Sequence, residues 1–586
     1  MTAENRNCNK FWRLCKIIWS KLSIIATPIM AELPYILFFL SLMGGRIPLM
    51  FIFAYISAAV IANIRYSPLK WFLKVLMYVF VLSLYLVDLF ISENFGLKIN
   101  PTLFVLLAET TAAESMEFVN QYIFSSAIYP TLVRTGISLL IVVVCEFLWY
   151  YLKKRFVYIY AVIRCVAVLV AIPLLLMGIS YSNIYWMMYN AQSADHIRFM
   201  QTPKDPISSL YKSWLVIRIT EKNMGDAIEK NRSVYEYGES SSAIAEPLNV
   251  VVVIGESYIK WHSQLYGYGL ETTPNLAREE KEGRLFVFSD VVSSSNYTSV
   301  VMRNIMCCNN SSDGEHWYDT PLFPLIFKQA GYNVYMWDNQ YAQDVYTTYS
   351  FTLNSFLYNP DFREWAYTRT NDVSYRYDGE LVDAFRRDIG VLDEGHNLVI
   401  FHLMGQHYTY SKRFPPEEFT HFTPDSINRS EEYLKDARKQ RIADYDNATL
   451  YNDHVVNSVI EMFKDNNTVL LYFSDHGEEV YDYRCRTGRQ YGIMNADILK
   501  YQYDVPFMVW CSDKFKSNYP DKVECIKQAI DRPFLTDNIC NMLFNVAGIE
   551  TPYYRDTLDL LNPNYRCSER IINGCKYEDV RFSSKK

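Results

Sequence analysis

The sequence predicts an α-helical membrane domain of five transmembrane helices, followed by an α/β/α soluble domain. Five long apolar runs crowd into the first third of the chain. From residue 246 onward, short apolar runs alternate with helical stretches, which is the pattern of a sheet covered by helices on both faces. We place the domain boundaries at 1–180 and 246–586, with interfacial helices and a linker at 181–245.

Each of the five apolar runs is close to the ~20 residues that cross a bilayer. Basic residues in the N-terminal segment, the second-to-third loop and the fourth-to-fifth loop would all lie on one side, which is cytoplasmic by the positive-inside rule. An odd number of spans then places the C-terminal domain outside the cytoplasm. The predicted spans are Leu22–Leu42, Ile47–Ile64, Trp71–Ile91, Leu132–Tyr151 and Val157–Ser180.

The charge distribution argues against a nucleic-acid partner. Residues 1–180 carry 15 basic and 8 acidic side chains, whereas the rest of the chain carries 42 basic and 56 acidic ones. An acidic C-terminal part offers no basic field for a polyanion. We therefore expect a lipid bilayer rather than nucleic acid as a partner. We also expect the chain to be a monomer.

Ser208–Thr220 is predicted to be a helix that lies on the membrane surface or packs on the soluble domain.

The soluble domain contains five runs that read as buried strands of a parallel sheet. Ligands of such sheets bind beyond the carboxyl ends of the strands, so the residues directly after each run are candidate site residues. The runs are Asn249–Ile254, Asn333–Trp337, Leu398–His402, Thr468–Phe473 and Val505–Trp510.

Metal-ligating residue types follow three of these strands. Glu256 follows the first, Asp475 and His476 follow the fourth, and His402 and His407 lie at and after the third. Carboxylate oxygen and imidazole nitrogen suit zinc, with a coordination position left open for chemistry. The sequence therefore predicts at least one Zn²⁺ where these strand ends converge.

At this point the chain resembles the membrane-bound phosphoethanolamine transferases of the alkaline phosphatase/sulfatase superfamily. The resemblance covers most of the chain, and the motifs occur in the family's order after a five-span N-terminal part. The motifs are Gly255–Ser257 (GES), Tyr266–Tyr268 (YGY), Thr272–Leu276 (TTPNL), Met404–His407 (MGQH), Arg413–Pro416 (RFPP), Tyr445–Asn447 (YDN) and Ser474–Glu478 (SDHGE).

The resemblance implies a threonine nucleophile at a helix start, and Thr298 matches it by position within Ser293–Val300. Metal coordination would activate its hydroxyl, and a helix N-terminus would favour a phosphate there. Ser295 and Ser299 are the rival nucleophiles, and a plain capping role is the alternative for Thr298. Zinc would be held by Glu256, Asp475, His476 and Thr298.

The remaining implied residues bind substrate. His407 would contact the transferred phosphoryl group or protonate the leaving group, with His402 as a second candidate. The strand Asn333–Trp337 ends in Asp338-Asn339-Gln340, and the amides of Asn339 and Gln340 could hold the phosphate or the amine. Thr110 and Glu114, four residues apart, match residues that line the family's donor headgroup site.

The resemblance implies transfer of phosphoethanolamine from phosphatidylethanolamine to a lipopolysaccharide, lipid A or related glycolipid acceptor, through a covalent phosphothreonine. The enzyme would be a multi-pass protein of the bacterial inner membrane, with a cytoplasmic N-terminus and a periplasmic catalytic domain. The alternatives are a phosphoglycerol transferase of the lipoteichoic acid synthase type, a sulfatase-like or phosphodiesterase-like hydrolase, and a sensor whose site has decayed.

Two departures from the family pattern make this chain a divergent member. Leu106 stands where many members have an asparagine. Many members also carry a histidine about a dozen residues after the SDHGE motif, whereas Tyr483–Arg489 (YRCRTGR) has none. An arginine in that stretch could bind phosphate instead.

Overall fold

The computed structural model divides the chain into two compact units, Met1–Thr220 and Glu221–Lys586. The structure describes residues 3–44, 46–95, 98–101, 128–191, 205–310, 314–340, 353–390, 394–490, 494–567, 569–572 and 575–583, with a few isolated positions between these ranges. Thr110 and Glu114 lie outside the described residues.

The first unit contains the predicted apolar helices. Four of them are long and apolar enough to cross a membrane, whereas the second has only 17 residues and lies at the short end of the spanning range. Each predicted span lies within a helix, except that the second helix ends one residue earlier than its predicted span. The helices are Ala3–Met43, Ile47–Asn63, Ser67–Phe95, Tyr129–Arg155 and Val157–Tyr189.

A buried ion network joins three of these helices. Glu32 sits at a kink between two prolines of the first helix and lies 2.7 Å from the Lys74 ammonium. Lys74 also lies 2.7 Å from Glu146, and Lys70 approaches Glu32 at 3.2 Å. Charged groups among apolar helices are costly unless they pair, so this network fixes how the helices align.

The second unit is built on a seven-stranded sheet. The central strand Asn249–Gly255 runs parallel to both of its neighbours, and the strands on the Asn397–His402 side are parallel as well. In spatial order the strands are Leu285–Val287, Phe507–Cys511, Thr468–Ser474, Asn249–Gly255, Asn397–His402, Asn333–Asp338 and Arg369–Thr370.

The expectation of a purely parallel sheet is wrong for one strand. Phe507–Cys511 runs antiparallel to Thr468–Ser474 and to Leu285–Val287. Its five residues are buried, as are those of the neighbouring strand Thr468–Ser474. A strand covered on both faces has the same apolar composition in either direction, so composition does not report direction.

Alternate residues of the central strand enter two separate cores. Val250 and Val252 pack with the cluster that includes Val301 and Leu543, whereas Val251 and Val253 pack with the cluster on the opposite face. This period of two is the expected result for a strand with helices on both sides. The larger helices of the unit are Pro206–Tyr237 (which begins in the first unit), Pro274–Lys281, Thr298–Met306, Phe323–Gln329, Asp378–Ile389, Asp436–Phe463, Pro520–Ala529 and Ile539–Ala547.

Shorter elements complete the unit. The helices are Leu353–Leu357, Pro360–Ala366, Pro416–Phe419, Ala496–Gln502, Asp513–Asn518 and Tyr577–Ser583, with 3-10 turns at Lys260–His262, Gln264–Tyr266, Tyr410–Lys412, Pro424–Ser426 and Thr536–Asn538. Four two-residue strand pairs are Ser241–Ser242 with Ile549–Glu550, Val291–Val292 with Phe534–Leu535, Glu479–Val480 with Thr487–Gly488, and Ile571–Ile572 with Cys575–Lys576. One strand of the first pair, Ser241–Ser242, lies in the segment 181–245, part of which is predicted to be a linker.

A buried histidine ties together three segments near the strand ends. His262 Nδ1 lies 2.6 Å from Asp446 Oδ1 on the long helix Asp436–Phe463, and its Nε2 lies 2.9 Å from Asp482 Oδ1. Burial alone would lower the pKa of His262, but the two carboxylates outweigh it and raise the pKa to about 10. The imidazolium therefore holds two buried carboxylates at neutral pH.

This arrangement predicts a pH-dependent contribution of His262 to stability. The folded pKa lies above the unfolded value of about 6.5, so the stabilisation is complete below pH 6.5 and is lost as the pH rises toward 10. The free energy of unfolding of the wild type, relative to His262→Gln, should fall by about 1.4 kcal/mol per pH unit in this window. Urea unfolding in detergent, followed by tryptophan fluorescence, measures it.

The control is His454→Gln, which replaces an exposed histidine of the helix Asp436–Phe463. The difference in free energy of unfolding between His454→Gln and the wild type should stay constant across the same pH range. If the difference in free energy of unfolding between His262→Gln and the wild type were also constant, His262 would not be a charged imidazolium that pairs with Asp446 and Asp482.

Candidate metal and active site

Three predicted ligands converge at the carboxyl ends of two adjacent strands. Glu256 follows Asn249–Gly255, while Asp475 and His476 follow Thr468–Ser474. The pairing of Gly255 with Ser474 brings the two strand ends level. One ligand atom from each of the three side chains lies within 4.8 Å of the others, and all three residues are buried.

The backbone around Glu256 is held in a conformation that L-residues seldom adopt. Ser257 has a φ of 56°, and its amide donates to Asp475 Oδ1 at 3.2 Å. Gly405 lies so close that an added Cβ would stand 2.7 Å from the Glu256 carbonyl oxygen. Its own φ is 49°, so this position requires glycine for two reasons. Strain of this kind is concentrated at functional sites.

Thr298 is the hydroxyl that meets this cluster. It is the first residue of the helix Thr298–Met306, and its Oγ1 donates to Glu256 Oε2 at 2.8 Å. The same oxygen lies 3.2 Å from His476 Nε2. Neither Ser295 nor Ser299 makes a hydrogen bond to the three ligands within the described part of the chain.

The three ligands have the protonation tendencies of a metal site. Burial alone would raise the pKa of Glu256, but nearby His476, His407 and Arg489 hold it well below its usual range. Burial, followed by repulsion from Glu256, raises the pKa of Asp475. Two adjacent buried carboxylates therefore do not ionise together without an added cation.

Two atoms fit a metal ion directly. Asp475 Oδ2 is buried and accepts no hydrogen bond from any described residue. His476 Nδ1 lies 2.9 Å from the Gly477 carbonyl oxygen, which only accepts, so Nδ1 carries the proton. Nε2 then carries a lone pair, which accepts from the Arg489 guanidinium at 2.5 Å and which a bound metal would take in its place. Burial together with Arg489 lowers the pKa of His476. A neutral imidazole, two carboxylates and a hydroxyl form a suitable donor set for a divalent metal.

Arg489 lies where the sequence lacks the family histidine. The short hairpin of Glu479–Val480 and Thr487–Gly488 returns the chain to the cluster. The Arg489 guanidinium then lies 2.5 Å from His476 Nε2 and 3.2 Å from the Asn296 carbonyl oxygen. Only the resemblance to the family draws attention to this stretch of the chain. Nothing in the local sequence distinguishes Arg489 from Arg484 and Arg486 as the arginine that reaches the cluster.

His402 and its partner Asp338 lie beside Glu256 at neighbouring strand ends. His402 Nδ1 lies 2.9 Å from Asp338 Oδ1, while the other carboxylate oxygen accepts from Tyr358 at 2.6 Å. Burial would lower the pKa of His402, but Asp338 and Glu256 raise it. Its buried Nε2 has no hydrogen-bond partner among the described residues. His407 follows on the same loop, near enough to Glu256 to lower its pKa.

Of the two amides that follow this strand, Asn339 supports a neighbouring loop and Gln340 contacts the metal cluster. The Asn339 side chain donates to Asp378 at 2.7 Å and accepts from the Tyr375 amide at 2.6 Å. Asp378 in turn accepts from the Met404 and Gly405 amides, so Asn339 supports the loop that leads to His407. Gln340 donates to Glu256 Oε2 at 3.2 Å and is the side chain of this strand end that contacts the cluster.

The chain is similar to one protein family and to several characterised proteins. The profile of the sulfatase family matches residues 248–549. Phosphoethanolamine transferase EptC of Escherichia coli O18:K1:H7 is 27% identical over 492 residues, which is 82% of this chain and 80% of the relative. Kdo(2)-lipid A phosphoethanolamine 7''-transferase of Escherichia coli K12 is 28% identical over 281 residues, 46% of this chain and 45% of the relative. These relatives confirm the resemblance drawn from the motifs.

Two solved structures are similar to this chain. The C-terminal periplasmic domain of EcEptC from Escherichia coli has a TM-score of 0.50 at 28% identity, covering 59% of this chain and 97% of that chain. The integral membrane protein lipooligosaccharide phosphoethanolamine transferase A (EptA) from Neisseria meningitidis has a TM-score of 0.53 at 18% identity, covering 95% and 98%. The second likeness shows a shared fold along nearly the whole chain. Since the sulfatase profile spans more than half of the sequence, this chain belongs to the sulfatase family.

Proposed function

We propose that this chain transfers phosphoethanolamine from phosphatidylethanolamine to a glycolipid acceptor, such as lipopolysaccharide or lipid A, through a covalent phosphothreonine. The observation that carries the proposal is the position of Thr298 Oγ1, at a helix start and within 3.2 Å of both Glu256 and His476. The names of the relatives supply the phosphoethanolamine group and the lipid A class of acceptor.

Glu256, Asp475, His476 and Thr298 would hold the metal, and zinc suits their mixed nitrogen and oxygen donors. When bound, zinc would lower the pKa of the threonine hydroxyl and offset charge on the phosphoryl oxygens. At least one zinc ion is expected.

In the first step, the Thr298 oxygen attacks phosphorus as the alkoxide, and the bond from phosphorus to the diacylglycerol oxygen breaks. Thr298 leaves as the alkoxide again in the second step, so it exchanges no net proton in the cycle. His407 or His402 protonates that leaving oxygen, and the raised pKa of His402 suits it to carry a proton. The Arg489 guanidinium would bind the equatorial phosphoryl oxygens, and its position 2.5 Å from His476 Nε2 supports this role. Backbone amides at the start of the nine-residue helix add partial positive charge there.

In the second step, an acceptor hydroxyl or phosphate attacks the phosphothreonine and Thr298 leaves. The histidine that lost its proton in the first step now accepts the proton of the acceptor, so the cycle closes. Gln340, Asn339 and Asp378 keep the loop that carries His407 in place.

A membrane-anchored enzyme suits this chemistry because donor and acceptor are both lipids. We place the N-terminus in the cytoplasm and the catalytic domain in the periplasm of a bacterial inner membrane. Thr110 and Glu114 remain the proposed contacts of the donor headgroup, because a carboxylate complements an ammonium group. The domain limits 1–180, 181–245 and 246–586 also remain a proposal.

The proposed covalent step predicts an adduct on Thr298. Incubation of the purified chain with phosphatidylethanolamine and zinc should add the mass of phosphoethanolamine to the Thr298 peptide, measured by mass spectrometry. Thr298→Ala should form no adduct, whereas Ser299→Ala should form it at this peptide. An adduct of phosphoglycerol from phosphatidylglycerol, and none from phosphatidylethanolamine, would point to the rival transferase. No adduct from either lipid would contradict a covalent mechanism.

The proposed metal set predicts a loss of zinc affinity in Asp475→Asn. The substitution keeps the size of the side chain but removes the charge that a metal ion would neutralise, so zinc affinity should fall by at least about 100-fold. Equilibrium dialysis with metal analysis measures this. Asp444→Asn, on the helix Asp436–Phe463, is the matched control and should keep wild-type affinity. Equal affinity in both variants would place the zinc elsewhere.

A further inference from the structure

One buried glutamine joins the three chain segments that carry Thr298, His476 and Arg489. Gln502 is the last residue of the helix Ala496–Gln502, and it is fully buried. The proposed transfer chemistry uses neither this residue nor its helix. A buried amide is costly unless its polar atoms find partners, so its contacts indicate what it holds in place.

Both polar atoms of the Gln502 side chain have partners. Its Oε1 accepts from Asn296 Nδ2 at 2.7 Å and from the Gln490 backbone amide at 2.9 Å. Its Nε2 donates to Glu479 Oε1 at 2.5 Å. All three partners are buried as well. One amide group therefore fastens three segments that are distant from each other or from Gln502 in the sequence.

The partners fix the orientation of the Gln502 amide. A backbone N–H group only donates, so the Gln490 amide must face the oxygen of Gln502. An ionised carboxylate only accepts, so Glu479, which pairs with Arg484 at 2.6 and 2.7 Å, must face the nitrogen. Glutamine suits this position, because a glutamate of the same size would place a second carboxylate against Glu479.

Two routes lead from Gln502 to the Arg489 guanidinium. Gln490, which Gln502 holds by its backbone amide, is the next residue in the chain. Asn296, which Gln502 holds by its side chain, accepts from Arg489 Nη1 at 3.2 Å with its carbonyl oxygen. The guanidinium carbon also lies 5.5 Å from the centre of the neighbouring Tyr297 ring. The glutamine therefore restrains both the backbone next to Arg489 and the turn against which its guanidinium lies.

The backbone at this helix end is attached independently of the Gln502 side chain. The Gly477 amide, directly after His476, donates to the Gln502 carbonyl oxygen at 3.0 Å. The Ser293 amide donates to the Tyr503 carbonyl oxygen at 2.9 Å. A substitution of Gln502 thus leaves these two bonds in place and removes only the contacts of the amide group.

We propose that Gln502 is a positioning residue of the transfer reaction and that it acts through Arg489, whose guanidinium it holds where a phosphoryl oxygen would meet it. The inference rests on the proposed function, because it deepens the role given there to Arg489. A guanidinium that is restrained before the phosphoryl group arrives loses less conformational freedom on binding it. Gln502 would not itself contact the phosphoryl group.

A double-mutant cycle on phosphate binding tests this inference. Inorganic phosphate is titrated into the zinc-loaded full chain in detergent, and calorimetry measures its affinity. Arg489→Met removes the guanidinium, and Gln502→Leu removes the amide. Each should weaken phosphate binding roughly tenfold or more, the loss expected for a hydrogen bond to a charged group. Because Gln502 acts through Arg489, the double variant should bind within about twofold of Arg489→Met.

The matched control is Asn231→Leu. Asn231 is a buried amide that accepts from the Leu322 amide at 2.9 Å and joins segments that carry none of the proposed site residues. This variant should bind phosphate as the wild type does. Gln502→Glu keeps the size of the glutamine but sets a carboxylate against Glu479, so it should weaken phosphate binding as Gln502→Leu does. Circular dichroism checks that each variant is folded.

Three results would overturn the inference. The first is wild-type phosphate binding in Gln502→Leu. The second is a double variant whose loss equals the product of the two single losses, because the glutamine would then act independently of Arg489. The third is a loss of zinc from Gln502→Leu in equilibrium dialysis, because the glutamine would then support the whole metal cluster rather than the guanidinium.

The adduct experiment on Thr298 separates these results from a failure of the proposed function. The initial rate of adduct formation should show the same coupling between Gln502 and Arg489 as phosphate binding does. Coupled losses of phosphate binding without a Thr298 adduct in the wild type would support the positioning role and contradict the transfer chemistry. An adduct in the wild type with independent losses in the cycle would do the reverse.

Discussion

The second unit depends on one electrostatic constraint, which is the burial of Glu256 and Asp475 beside His476 within a few ångströms. Two carboxylates removed from water repel each other: His476, His407 and Arg489 favour the ionised form of Glu256, whereas burial and repulsion from Glu256 raise the pKa of Asp475. A fold keeps such a cluster only where a cation offsets its cost or where function requires it. The arrangement therefore has the properties of a metal site.

The surrounding structure serves to hold this cluster. The level pairing of Gly255 with Ser474 sets the height of both strand ends, and the positive φ of Ser257 turns the chain toward Asp475. Gly405, in the loop after the strand Asn397–His402, packs its backbone closely against Glu256. The helix Thr298–Met306 positions the hydroxyl of its first residue, Thr298, next to Glu256. Rigid elements thus position every ligand, as precise chemistry requires.

The sequence predicted which residues form this site better than it predicted strand direction and the contacts between side chains. The run Asn249–Ile254 and the motif at Asp475 could be recognised, because metal-ligating residues directly after a buried strand lie where the ligands of parallel sheets bind. The sequence did not predict the direction of the strand Phe507–Cys511, because a buried strand has the same composition whether it is parallel or antiparallel to its neighbours. The sequence also did not show which of the amides of Asn339 and Gln340 faces Glu256, because this depends on the path of the backbone after the strand.

X-ray absorption at the zinc edge tests the central claim most directly, because it counts the ligand atoms of the bound metal. The account predicts one imidazole nitrogen and otherwise oxygen ligands at about 2.0–2.2 Å, with no sulfur, and the loss of one oxygen in Thr298→Ala. Two or more imidazoles, a sulfur ligand, or a set of ligand atoms that Thr298→Ala leaves unchanged would contradict a metal held by Glu256, Asp475, His476 and the threonine oxygen.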